Sequence, residues 1–262
     1  MNKRHTVALI LATMNNTVKH PVSLNQYIAA WSVHALTAST SIVGLLTLYH
    51  ITQHQYVIAF WLMAIAIVID GIDGTLARLV RVKEVLPKID GALLDNIVDY
   101  LNYVITPCFF LITNSAMLPD SIQWWIVSAI AMCSAYQFTQ QDAKTPDHFF
   151  KGFPCYWNIV VFYMYLFQTS QATNIFILAL LCALIFVPIK YVYPSRLDYL
   201  TNSKPLKLVM HLCSIAYGIS SALLLYQFPE QNLLYVSLSL GYVLLYLLLS
   251  LYRTYIPINT KH

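Results

Sequence analysis

The chain has 262 residues, of which 58% are hydrophobic and only 10% charged. No single soluble core can enclose that much apolar surface, so the bilayer has to act as solvent for much of it. The net charge of +4 is scattered in short clusters between apolar stretches, a poor footprint for nucleic acid and a better one for anionic headgroups and phosphates.

The chain opens on a basic start, Lys3 and Arg4, and an apolar run of eight residues, Val7 to Met14, with no convincing small-residue cleavage site. A cytoplasmic juxtamembrane segment fits this better than a signal peptide. Apolar stretches then fall at 27–50, 55–76, 93–115, 122–139, 153–169, 174–193, 207–226 and 232–252. Each is close to the roughly 20 residues a crossing helix needs, and none shows the alternation of a barrel strand. The expected fold is an all-α, polytopic membrane bundle of about eight transmembrane helices, forming one integral membrane domain over 1–262 with a motif-bearing core at 55–115.

Cytoplasmic loops collect Lys and Arg. With both termini cytoplasmic, all fifteen basic residues fall on the inner side and the outer loops keep only Asp120 and Glu230. This makes the chain a multi-pass membrane protein with its basic loops on the cytoplasmic side. The five cysteines, Cys108, Cys133, Cys155, Cys182 and Cys213, stand singly and read as small buried hydrophobes. His34, His50, His54 and His211 lie on different helices without ligand spacing and read as hydrogen-bonded core or interface residues. The Leu and Tyr stripe of the last helix packs against lipid or a second copy of the chain in a homodimer.

Six of the eleven acidic residues and three of the seven glycines lie between Asp70 and Asp99. Asp70, Asp73, Gly74 and Ala77 share one face of the second helix by their 3–4 spacing, and Gly91, Asp95 and Asp99 share one face of the third. If one helix descends and the next ascends, Asp70 and Asp99 reach similar depth and four carboxylates converge. Such a cluster at a bilayer edge repels itself and resists desolvation, which a divalent cation relieves. Oxygen-only ligands suit Mg²⁺ or Mn²⁺. Gly74 and Ala77 make room on that face, and Arg78, a planar fork of donors, suits a phosphate. Asp90 and Glu84 read as solvated loop charges.

This pattern, D-x-x-D-G-x-x-A-R followed by G-x-x-x-D-x-x-x-D, resembles the CDP-alcohol phosphotransferase family, with Asp70, Asp73, Gly74, Ala77, Arg78, Gly91, Asp95 and Asp99 filling all eight positions. Twelve residues separate Arg78 from Gly91 where most of the family has eight. That longer loop, and the segments Asp147 to Asn158 and Phe186 to Arg196, are similar to the bacterial phosphatidylcholine synthase branch.

The resemblance implies phosphatidyl transfer from CDP-diacylglycerol to choline, giving phosphatidylcholine and CMP by direct attack, at a site facing the cytoplasm. Asp70, Asp73, Asp95 and Asp99 would hold Mn²⁺ or Mg²⁺. Asp70, Gly74, Ala77, Arg78 and Gly91 would bind the CDP group, and Asp99 would act as base. A quaternary ammonium is bound by aromatic faces, for which Tyr100, Tyr103, Tyr156 and Trp157 are the candidates. Lys190 and Arg196 either contact a lipid phosphate or anchor a helix end by charge. Serine, glycerol phosphate and inositol remain alternative acceptors, and a cation transporter is the alternative of a different class.

Overall fold

The structure, a computed structural model, describes residues 22–145, 147, 149–193 and 203–256. Two long antiparallel helices open the fold, α1 (Leu24–Thr52) and α2 (Tyr56–Leu79), and pack along each other. α1 starts at Ser23 because Ser23 and Gln26 form a reciprocal capping box: Gln26 N donates to Ser23 Oγ at 3.2 Å and Ser23 N to Gln26 Oε1 at 3.0 Å. After the short α3 (Val82–Val85), Asp90 accepts from the backbone of Ala92 and Leu93 and so starts α4 (Gly91–Asp99). Asp90, exposed as its sequence position suggested, is also the cap of this helix, and Glu84 lies exposed beside Arg81.

From α4 the helix runs unbroken through a π-helical turn, Tyr100–Ile105, into α5 (Thr106–Thr113). Pro107 explains the π turn: it has no N–H to return to Tyr103, and the N–H of Thr106 reaches back to Leu101. Next come α6 (Gln123–Thr139), α7 (Trp157–Leu166), α8 (Gln171–Ile185), α9 (Lys204–Gln227) and α10 (Leu233–Tyr255). Four helices, α1, α2, α9 and α10, are long and apolar enough to cross a membrane. Outward-facing residues such as Leu45, Val68, Phe176 and Leu244 are more than half exposed, which is untenable in water and ordinary against lipid.

Among the described residues the structure departs from an all-α bundle in one place. Strands β1 (Phe150–Lys151) and β2 (Lys190–Tyr191) pair antiparallel, with Phe150 opposite Tyr191 and Lys151 opposite Lys190. The apolar stretches expected at 153–169 and 174–193 give shorter helices, because Pro154 and Pro188 interrupt them and the residues around Lys190 and Tyr191 enter the ribbon. The ribbon is fixed from two sides. Gly152, at φ +79°, lies so close to the carbonyl of Ile185 that an added Cβ would sit 2.2 Å from its oxygen. On α10, Thr254 Oγ1 accepts from Lys190 N at 2.8 Å and Ser250 Oγ from Val192 N at 3.1 Å. The main core joins Phe60 of α2, Phe110 of α5 and Trp157 of α7, and all five cysteines are free.

Candidate active site

α2 and the α4–π–α5 helix bring Asp70, Asp95 and Asp99 together, with one carboxylate oxygen from each within 4.8 Å of the others. Asp73 is not in this triad. It is buried on the α1 side of α2, where Thr37 Oγ1 donates to its Oδ2 at 2.7 Å. The triad opens on a cavity of about 240 Å³.

Five aromatic rings line the same cavity, Phe138 and a series of four formed by Tyr103, Tyr156, Phe150 and Tyr193. These four follow one another around the wall: Tyr103 to Tyr156 is 6.1 Å between centroids, Tyr156 to Phe150 is 6.2 Å and Phe150 to Tyr193 is 4.6 Å. Of the four aromatics expected to hold a quaternary ammonium, Tyr103 and Tyr156 line this cavity. Tyr100 and Trp157 do not. The hydroxyl of Tyr100 donates to the carbonyl of Ala131, its ring packs on Phe138, and Trp157 is buried with its indole N–H on Ser134. Both are core residues, because neither projects from its helix on the carboxylate side.

Gly74, Ala77 and Arg78 lie on α2 beyond the cavity. A Cβ at Gly74 would meet only the guanidinium of Arg78, at an ordinary 3.5 Å, so the protein's own packing does not demand a glycine there. Arg78 is exposed and donates to Thr75 Oγ1 at 2.9 Å. Gly91 is small for an internal reason: a side chain there would strike the ring of His34 at 2.8 Å. His34 is buried and its Nε2 has no hydrogen-bond partner among the described residues, unlike the satisfied histidine its sequence suggested.

Lys190, expected near a lipid phosphate, is in a half-buried ion pair with Asp147 at 2.5 Å and lies over the ring of Phe149. Arg196 lies outside the described residues, as does His148 beside Asp147. Burial pushes Asp147 upward, but hydrogen bonds from Lys190 and Thr145 and the charge of Lys190 outweigh it and hold its carboxyl below the usual range. Asp142, bonded to Lys151, is lowered in the same sense.

The sequence reading missed Thr37, Phe150, Tyr193 and Lys144 as site residues. Thr37 had a visible signal, since His34, Thr37 and Thr40 form a polar stripe on an otherwise apolar helix. Phe150 and Tyr193 lie in the two segments, Asp147 to Asn158 and Phe186 to Arg196, that resemble the synthase branch, but nothing in either segment marked these residues as meeting; the ribbon brings them together.

Helices long and apolar enough to cross a membrane thus accompany a carboxylate triad that could hold a metal ion, beside a chamber lined by aromatic rings. The CDP-alcohol phosphatidyltransferase family matches residues 30–188, more than half of the sequence, and the chain belongs to that family. It is 66% identical over 242 residues to a phosphatidylcholine synthase of Legionella pneumophila, covering 92% of this chain and 95% of that one. It is 62% identical over 215 residues to a phosphatidylcholine synthase of Legionella bozemanae, covering 82% and 99%. A phosphatidylcholine synthase of Rhizobium meliloti is 39% identical over 202 residues, covering 77% and 82%.

Proposed function

We propose that the chain transfers the phosphatidyl group of CDP-diacylglycerol to choline, giving phosphatidylcholine and CMP. The observation that carries this reading is the position of the carboxylate triad on the border of the aromatic chamber. An anion site and a quaternary-ammonium site are thus within one small cavity.

The donor set fits a divalent ion. Three carboxylates with oxygens this close repel strongly unless compensated, and an all-oxygen set suits Mn²⁺ or Mg²⁺. Asp70, Asp95 and Asp99 would hold it, with Asp73 reaching in from its bond to Thr37. A bound divalent ion would offset charge on the pyrophosphate and on the departing CMP oxygen.

The residues of the chain do the rest. The open face at Gly74 and Ala77, with Arg78 at its mouth, accepts the CDP group beside Asp70 and Gly91. Tyr103, Tyr156, Phe150 and Tyr193 present ring faces to the trimethylammonium group, each worth roughly 0.5–2 kcal/mol. Asp99, one helical turn before Tyr103, takes the proton from the choline hydroxyl as its oxygen bonds to the lipid-side phosphorus and the bond to CMP breaks. No covalent enzyme intermediate is needed. We read eight apolar segments as crossing a bacterial inner membrane, with Gly91–Thr113 as one crossing, both termini inside and the site facing the cytoplasm; the inner-side grouping of the basic residues supports this.

The test supplies purified protein in detergent with CDP-diacylglycerol, Mn²⁺ and labelled choline, serine, inositol or glycerol phosphate. Choline should enter lipid with release of CMP, and chelation should stop it. Incorporation of only one of the other alcohols would overturn the assignment.

A further inference from the structure

Among the described residues Lys144 is the only basic side chain lining the cavity, and nothing in the proposed reaction so far uses it. Its backbone is held rigidly. Lys144 bridges to Phe150, Thr145 N donates to Phe149 O at 2.8 Å, and Lys151 N donates to Ala143 O at 2.9 Å. The neighbouring bases are committed, Lys151 to Asp142 and Lys190 to Asp147, whereas Lys144 makes no ion pair within 4.0 Å among the described residues. Its charge bears on Asp70, Asp95 and Asp99 together. Its ammonium lies 6.0 Å from the centroid of Tyr193, the outer limit at which a ring face holds a cation.

We infer that Lys144 binds the phosphate on the diacylglycerol side of CDP-diacylglycerol, the one that choline attacks. This rests on the transfer reading above. Carboxylates committed to a divalent ion attract the ammonium less, and the strongest anion then left to it in the cavity is the substrate's phosphate. The same turn takes Lys144 off Tyr193, which as a cation it would otherwise contest with choline. The side of the substrate follows from position. The open glycine face of α2 lies beyond this cavity, while Lys144 shares the cavity with the carboxylates and the aromatic wall.

CDP carries the second phosphate and CMP lacks it, so the pair isolates the contact. Binding of each to the full-length protein in detergent with Mn²⁺ is measured by calorimetry for the native chain, Lys144→Gln and Lys144→Arg. Lys144→Gln should weaken CDP about tenfold, the scale of one charge-assisted hydrogen bond, and CMP less than twofold, with Lys144→Arg restoring most of the loss. Equal weakening of both nucleotides, or of neither, would overturn the inference. So would a raised KM for choline with CDP binding unchanged, which would assign Lys144 to the acceptor. Lys144→Arg keeps the charge and decides the matter should Lys144→Gln not fold. A native protein that binds CDP but makes no phosphatidylcholine would instead count against the transfer reading.

Discussion

The hydroxyl of Tyr103 donates to Oδ2 of Asp70 at 2.8 Å, joining a ring of the aromatic chamber to a carboxylate of the triad. The bond spans two helices, so the chamber and the anion site are positioned by one contact. Tyr103→Phe keeps the ring and loses the bond. It should raise the Mn²⁺ concentration for half-maximal activity about tenfold, the usual effect of removing a partner of a metal-ligating group. The KM for choline should stay within about twofold, since the ring that supplies the cation–π contact remains. Tyr103→Leu should raise that KM about fivefold in addition. A metal titration and a choline titration on the two variants separate these effects, and identical behaviour of both variants would remove Tyr103 from the chamber.

Thr37 governs Asp73 in a comparable way from α1, by the 2.7 Å bond to its carboxylate. Thr37→Val is nearly isosteric and leaves Asp73 buried with one fewer hydrogen bond. The half-saturating Mn²⁺ concentration should rise by about five- to tenfold, and Thr37→Ser should stay near native. An unchanged metal titration for Thr37→Val would show that Asp73 does not contribute to the ion site.

What the sequence revealed follows from periodicity. Asp70, Asp95 and Asp99 were legible because two helices with polar faces can meet in only a few ways. Asp73 was grouped with them by spacing, yet sits one face round, toward Thr37, because three residues of helix turn a side chain by about 300° and not a full circle. Tyr100 and Tyr103 looked equivalent as neighbours of Asp99, but only Tyr103, four residues on, shares its side of the helix. The ribbon left no trace, since two-residue strands are too short to show alternation. Without it Phe150 and Tyr193 had no reason to be paired. Lys144 was counted only as a charge that sets orientation, because a lysine in a loop gives no sign of where its ammonium points.

The Asp147–Lys190 pair makes the ribbon sensitive to acid. Asp147 is held below the ordinary carboxylate value of 3.8, so the folded state binds a proton there less readily than the unfolded chain. The stabilisation is present above that ordinary value and is lost as pH falls through the lower folded value. Activity and protease resistance of the loop after α6 should therefore be insensitive to this pair from pH 5 to 8 and fall off below about pH 4. Asp147→Asn should flatten that acid limb of the protease-resistance profile. The same steep limb in native protein and Asp147→Asn would place the acid sensitivity elsewhere.

Gly152 holds the ribbon in place and hence the two rings it contributes. Its φ of +79° is a conformation that side-chain-bearing residues rarely adopt, and an added Cβ would lie 2.2 Å from the carbonyl oxygen of Ile185, which is backbone and cannot swing aside. The two penalties together should cost about 2–4 kcal/mol in Gly152→Ala. The relief available is a shift of β1 away from α8, which carries Phe150, two residues earlier, out of the chamber and loosens its 4.6 Å contact with Tyr193. The carboxylate triad sits on α2 and α4 and is untouched. Gly152→Ala should therefore lower the melting temperature in detergent and raise the KM for choline several-fold while the affinity for CMP in Mn²⁺ holds near native. Phe150→Leu, which removes the ring without straining the backbone, should reproduce the KM change without the loss of thermal stability. If Phe150→Leu left the KM for choline unchanged, the ribbon would be a fastening of the loop alone and the acceptor chamber would close on Tyr103 and Tyr156.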